Sequence, residues 1–199
     1  MTLELTQIFR TIAPRRLYRT LIGVLFFGAL ASQAVAAPEA ASRFNRVQSV
    51  INAFQVMCTL ELPEFDRIAE KAGLMQMQLQ FDNSGPSPGD TVTRQKSWIG
   101  TLTDGPFFLL LDEMSGAKGK STACAIAADI SDRDGFRAEA IRAMKLPDAP
   151  APELRGDGSR SYFWDGVFGP GTTILERDFG PSEKPGVMLK LLSKVPPVR

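Results

Sequence analysis

Histidine is absent from this chain of 199 residues. Without an imidazole, Ser-His-Asp and Cys-His catalysis are excluded, as are zinc, haem and copper sites that depend on histidine ligands. A general base working near neutral pH would have to be a carboxylate or a lysine with a shifted pKa. We therefore expect no metal and no other cofactor, and we name no catalytic residue.

Cysteine is scarce, since only Cys58 and Cys124 are present. Neither belongs to a Cys-x-x-Cys motif, the spacing typical of redox and metal sites. In an oxidising compartment an even pair forms a structural disulfide, which here would close a long loop worth about 4 kcal/mol in the chain-entropy model. We predict this bridge; redox-active or metal-binding thiols are the alternative.

An apolar run long enough to span a membrane is missing from the N-terminal region. Residues 21–31 are apolar but number only 11, against the roughly 20 that a spanning helix needs. A basic stretch precedes them and small residues follow, which is the order of a secretory signal. We predict that residues 1–36 are a signal peptide cleaved between Ala36 and Ala37. An uncleaved anchor is the alternative, and adjacent arginines leave both the general and the twin-arginine export routes open.

A large excess of either positive or negative charge is also missing. Residues 37–199 carry 19 basic and 21 acidic side chains, a net charge of −2. A near-neutral domain has no broad electrostatic reason to bind nucleic acid or an anionic membrane. We expect a periplasmic or secreted protein with no nucleic-acid partner and no stable membrane anchor after cleavage.

Three segments show the apolar periodicity of helices. They are residues 42–58, a stretch from Pro63 to Gly73, and a helix capped by Asp132 or Asp134 that runs to about Met144. Strands are predicted between and after them, at residues 75–81, 92–103, 107–112, 123–130, 161–164, 172–176 and 187–192.

Strands that follow one another through short turns favour an antiparallel sheet. The predicted fold class is α+β, with an antiparallel sheet packed against two N-terminal helices and one later helix. Residues 37–199 are expected to form a single domain with one disulfide. Residues 146–159, rich in Pro, Gly and Asp, are predicted to form a connector. The alternative to a single domain is that residues 160–195 form a separate C-terminal β subdomain.

Two motifs resemble ligand loops but depart from them. Gly119-Lys120-Ser121 matches the end of a phosphate-binding loop, yet Met114 stands where that loop needs glycine. Residues 129–135 resemble a calcium loop, but Ile130 and Ile141 fall where oxygen ligands are required. A hairpin turn and a helix cap explain the two segments better.

Tryptophan and tyrosine are few, with two of each, and three of these four residues form a candidate binding surface. Tyr162 and Trp164 flank Phe163 beside Arg160, and Trp98 lies in an earlier strand. Exposed, these side chains would stack on a sugar or grip a peptide. Buried, they would belong to the core, which is the interpretation we favour, with a binding site as the alternative.

The function that these observations favour is a binding or interaction module of the cell envelope, without enzymatic activity. Its partner would be an envelope protein or a glycan. A carboxylate-based enzyme acting on envelope glycan is one alternative, and it needs two carboxyl groups about 5–10 Å apart in a cleft. A self-associating structural envelope protein is the other.

Overall fold

The computed structural model describes residues 46–60, 63–87, 91–179 and 185–197. The predicted signal peptide and its cleavage position lie outside these ranges. Within them, no helix is long and apolar enough to cross a membrane.

The described residues form three α-helices, a π-helical turn and eight strands. The helices are α1 (Val47–Phe54), continued by the π-turn (Gln55–Thr59), then α2 (Phe65–Leu74) and α3 (Arg133–Met144). The strands are β1 (Gln78–Ser87), β2 (Thr91–Leu102), β3 (Gly105–Gly116), β4 (Gly119–Asp129), β5 (Glu153–Leu154), β6 (Arg160–Asp165), β7 (Thr172–Phe179) and β8 (Gly186–Val195).

All eight strands belong to one antiparallel sheet with the order β1-β2-β3-β4-β8-β7-β6-β5. Each half of the chain contributes helix followed by a four-stranded meander, and the halves meet where β4 pairs with β8, with Cys124 opposite Leu191. The architecture is therefore an internal topological repeat, although the sequence shows none. The C-terminal strands continue the same sheet.

Helices and sheet form two layers with the core between them. The strands alternate, and one side of the sheet, here called the inner face, presents the fully buried Leu109, Ile126 and Leu189. α1 sets Ile51 and Phe54 into the same cluster, as its apolar periodicity predicts. Asp132 caps α3 by accepting a hydrogen bond from the Gly135 amide at 2.8 Å.

The predicted disulfide is confirmed. Cys58 in the π-turn and Cys124 in β4 are bonded, with Cα atoms 5.5 Å apart, and both are completely buried. The bond ties the helical layer to a central strand. The α+β class and the antiparallel sheet are confirmed as well.

The first strand differs from its prediction. Met75 and Gln76 form a turn, with Gln76 in the left-handed region at φ 54°, and β1 begins only at Gln78. A register shift places Leu79 opposite Trp98 but Phe81 opposite Ser97, so the two side chains lie on opposite faces. Both are about half exposed because β1 is an edge strand.

Candidate binding surface

The aromatic residues predicted to bind a ligand lie in the core. Trp98, Tyr162 and Trp164 are at most 5% exposed and face the helices. Trp164 Nε1 donates a hydrogen bond to the Pro147 carbonyl at 3.1 Å. Tyr162 and Trp164 stack in β6 beside Arg160, whereas four strands separate Trp98 from them. These rings are therefore packed in the core, and the described part of the sheet presents no open aromatic groove at their position.

Arg160 belongs instead to an ionic cluster between α3 and the sheet, here called the α3 cluster. Its members are Asp134 and Arg137 of α3, Arg160 and Tyr162 of β6, and Glu176 and Asp178 of β7. The Arg137 guanidinium lies over the Tyr162 ring, 3.8 Å from its centroid. Of these six residues, only Arg160 and Tyr162 are candidate site residues by sequence, because contacts between a helix and distant strands leave no local pattern.

A second cluster fastens α2 to the other half of the sheet. The Arg94 guanidinium lies 4.0 Å from the Phe65 ring centroid and pairs with Asp66 of α2 and Glu113 of β3. The Arg94 hydrogen bond holds the pKa of Asp66 below its ordinary value. Lys120 Nζ also lies 2.7 Å from Glu113, so this buried carboxylate meets two cations.

Neither cluster has the layout of an open catalytic site. Glu176 and Asp178 are paired carboxylates on one face of β7, but both are buried beneath α3. A depression of about 280 Å³ lies beside α1, lined by residues such as Asn52, Met57 and Phe107, and contains neither carboxylate. Across the described chain, no group of three or more acidic or cysteine side chains is placed to hold a metal.

The most distinctive surface is the opposite side of the sheet. α2, α3 and the π-turn all contact residues of the inner face. Phe65 of α2 lies against Arg94, Arg137 of α3 lies over Tyr162, and the π-turn is bonded to Cys124. The outward positions of β2 to β4 and β6 to β8 then form a second face that is largely apolar, with the Lys190–Asp112 pair near its middle. We call it the open sheet face; its apolar members are Ile99, Phe108, Leu110, Met114, Ala123, Ala125, Ala127, Phe163, Leu175, Met188 and Leu192.

A depression of about 190 Å³ lies on the open sheet face, among β2, β3, β4 and β8. Ala123 forms part of its floor because a small side chain in β4 lies between larger ones in the flanking strands. Met114 and Leu192 supply apolar walls, while Lys190 Nζ lies 3.5 Å from Asp112 Oδ2 at the rim. The depression therefore has an apolar floor, and the two opposite charges at its rim compensate each other.

A sequence signal for this face existed. An antiparallel sheet with one solvated side shows alternating apolar and polar residues. Residues 107–111 (FFLLL) and 123–128 (ACAIAA) instead contain unbroken apolar runs, which mean that both sides of β3 and β4 are apolar. The runs predict central strands correctly, but they do not say which side the helices cover.

The fold and this face define a class: a two-layer α+β domain whose sheet carries helices on one side and an apolar surface on the other. Comparison with protein-family models, with curated proteins and with solved structures finds no match for the chain.

Proposed function

We propose that this chain is an exported binding module that docks the open sheet face onto a protein partner. The observation that carries the proposal is the apolar character of most outward positions in β3 and β4, joined by Met188 and Leu192 of β8, on a side that the described helices do not cover. Contiguous apolar patches of this kind mark interaction surfaces. The signal-like N-terminal sequence and the Cys58–Cys124 disulfide support a site of action outside the cytoplasm.

The charges on the face indicate the kind of partner. Asp112 pairs with Lys190, and Arg177 pairs with Asp157 at 3.2 Å, so these four charges are compensated within the chain, and Lys194 of β8 adds one further cation to the face. A nucleic acid would need a cationic surplus, and a glycan would need an exposed aromatic platform. An apolar, near-neutral protein surface fits best.

The area of the open sheet face is close to the area that one protein contributes to a standard protein–protein interface. The six neighbouring strands of the face are separated by five spacings of about 4.8 Å. With a registered length of about eight residues they span roughly 24 Å by 27 Å, or on the order of 650 Å² in projection. Side-chain relief increases the accessible area towards the ~800 Å² that each partner contributes to a standard protein interface.

Replacing apolar side chains of the face by glutamate tests the proposal. Met114 is 51% exposed and Leu192 is half-buried beside it, so Met114→Glu with Leu192→Glu charges the depression. The wild-type protein should elute from a native extract as a complex larger than its own mass, and the double variant should elute as the monomer. Circular dichroism and the thermal midpoint show whether the variant is folded.

A matched control uses exposed leucines elsewhere. Leu74 and Leu154 are 78% and 75% exposed and lie off the face, and Leu74→Glu with Leu154→Glu should leave the complex intact. Monomeric wild-type elution, or equal loss of the complex in both double variants, would contradict the proposal. The burial of Glu176 and Asp178 gives no support to the alternative of a glycan-cleaving enzyme.

A further inference from the structure

Among the described residues, Glu176 is the buried carboxylate of the α3 cluster with a single cationic contact, and it shares that contact with Asp178. Its side chain is completely buried, and Arg137 Nη2 lies 3.1 Å from its Oε1. The same nitrogen lies 3.4 Å from Asp178 Oδ1. Neither oxygen of Glu176 makes a hydrogen bond within the described part of the chain. One guanidinium nitrogen therefore serves two carboxylates and fully satisfies neither.

The charges around Glu176 do not balance. α3 contributes Arg137 and Asp134, β6 contributes Arg160 and Tyr162, and β7 contributes Asp178, while β8 places Leu189 opposite Glu176. Arg160 is already engaged, with Nε 2.7 Å from Asp178 and Nη2 3.1 Å from Asp134. With every carboxylate ionised, three negative charges face the two guanidinium groups of Arg137 and Arg160. Asp134 is 74% exposed and hydrated, whereas Glu176 and Asp178 are buried and share Arg137. Arg133 of α3 donates instead to the Phe179 carbonyl at 2.7 Å.

Glu113, in the other half of the sheet, shows what a compensated buried carboxylate looks like. It lies 3.3 Å from Arg94 Nη1 and 2.7 Å from Lys120 Nζ, and it accepts a hydrogen bond from Thr122 Oγ1 at 3.4 Å. Both glutamates are almost or completely buried, but only Glu113 has two cations and a hydroxyl donor. The contrast makes Glu113 a matched control for Glu176.

We propose that Glu176 is a proton-controlled latch for α3. With a proton on Glu176, the α3 cluster is neutral and the helix stays docked on β6 and β7. With the proton lost, a buried negative charge without full compensation loosens α3 from the sheet.

The titration behaviour supports the latch and fixes its direction. Burial raises the pKa of Glu176 from 4.5 to about 7, against the opposing effect of Arg137. Because the folded state holds this proton more tightly than the unfolded state, the stabilisation is complete below the unfolded pKa of 4.5 and is lost as the pH rises through about 7. Linkage then predicts that the opening constant of α3 increases roughly tenfold between about pH 6 and pH 8.

Hydrogen–deuterium exchange of the wild-type protein tests the latch, with rates in α3 corrected for the intrinsic effect of pH. The tenfold step should appear in α3, disappear in Glu176→Gln, and persist in Glu113→Gln. At pH 8, Glu176→Gln should protect α3 better than the wild type. A step that is unchanged in Glu176→Gln, or absent from the wild type, would overturn the proposal, as would weaker α3 protection in that variant at every pH.

A measurement without mutation keeps the proposal testable should Glu176→Gln fail to fold. Carbon-13 NMR of the wild-type carboxyl groups should show one buried glutamate that titrates near pH 7 together with the α3 amide shifts. Titration of every glutamate between about pH 4 and 5 would rule the latch out.

Discussion

Two arginines fasten helices to this sheet by the same means. Arg94 lies over the ring of Phe65, and Arg137 lies over the ring of Tyr162, while each guanidinium also meets buried carboxylates. A planar guanidinium can stack and pair at the same time, whereas an ammonium group acts as a point charge. At the residue scale, the two layers are therefore joined by specific polar contacts in addition to apolar burial.

Arg94→Lys tests this fastening. The substitution keeps the charge but removes the stacking and the two-sided pairing, and we expect a loss of about 1–2 kcal/mol in the free energy of unfolding. Urea denaturation at pH 6 measures it. Arg142→Lys is the control, since Arg142 pairs with Glu139 on the exposed side of α3 and an exposed pair contributes little to stability. Equal losses in the two variants would refute a special role for Arg94.

Individual elements differ in how well the sequence predicts them. α1 and α3 follow their apolar periodicity, α3 also has its predicted Asp132 cap, and Cys58 points inward as the periodicity of its helix requires. β1 does not follow its pattern, because the alternation from Met75 to Phe81 is interrupted by a turn and a register shift that depend on pairing with β2. Local patterns report periodicity, whereas register and edge position are set by the partner strand.

The candidate surface was harder to predict than the elements. Trp98 and Trp164 were chosen for their side-chain chemistry, but composition does not say which side of a strand the helices cover. The open sheet face becomes visible only once the registers of β3, β4 and β8 are known, since its members come from strands far apart in sequence.

The disulfide joins two elements of different layers, so its removal should loosen the helical layer. Replacing Cys58 and Cys124 together by alanine should lower the free energy of unfolding by about 2–4 kcal/mol, mainly because the unfolded chain gains freedom. Chemical denaturation with and without a reductant checks this. Reductant should shift the wild-type midpoint and leave the double variant unaffected; an unchanged wild-type midpoint would contradict the expectation.

At the scale of the whole molecule, the chain uses one plan twice. Each half contains helix followed by a four-strand meander, and the pairing of β4 with β8 joins the two halves in the middle of the sheet. Each half also has its own arginine cluster. The helices shield the inner face, and the Cys58–Cys124 bond ties the π-turn that continues α1 to β4. The second face of the same sheet is left as a broad apolar surface, which is the basis for the proposed binding function.

Site-specific photo-crosslinking in intact cells tests the central claim most directly. A photoreactive phenylalanine at Met114 reports contacts of the open sheet face, and the same group at Leu154 reports an exposed position off the face. We expect a discrete protein adduct from position 114, abolished by Leu192→Glu, and none from position 154. Equal adducts from the two positions, or none from position 114 in folded protein, would contradict the claim that the open sheet face is a docking surface.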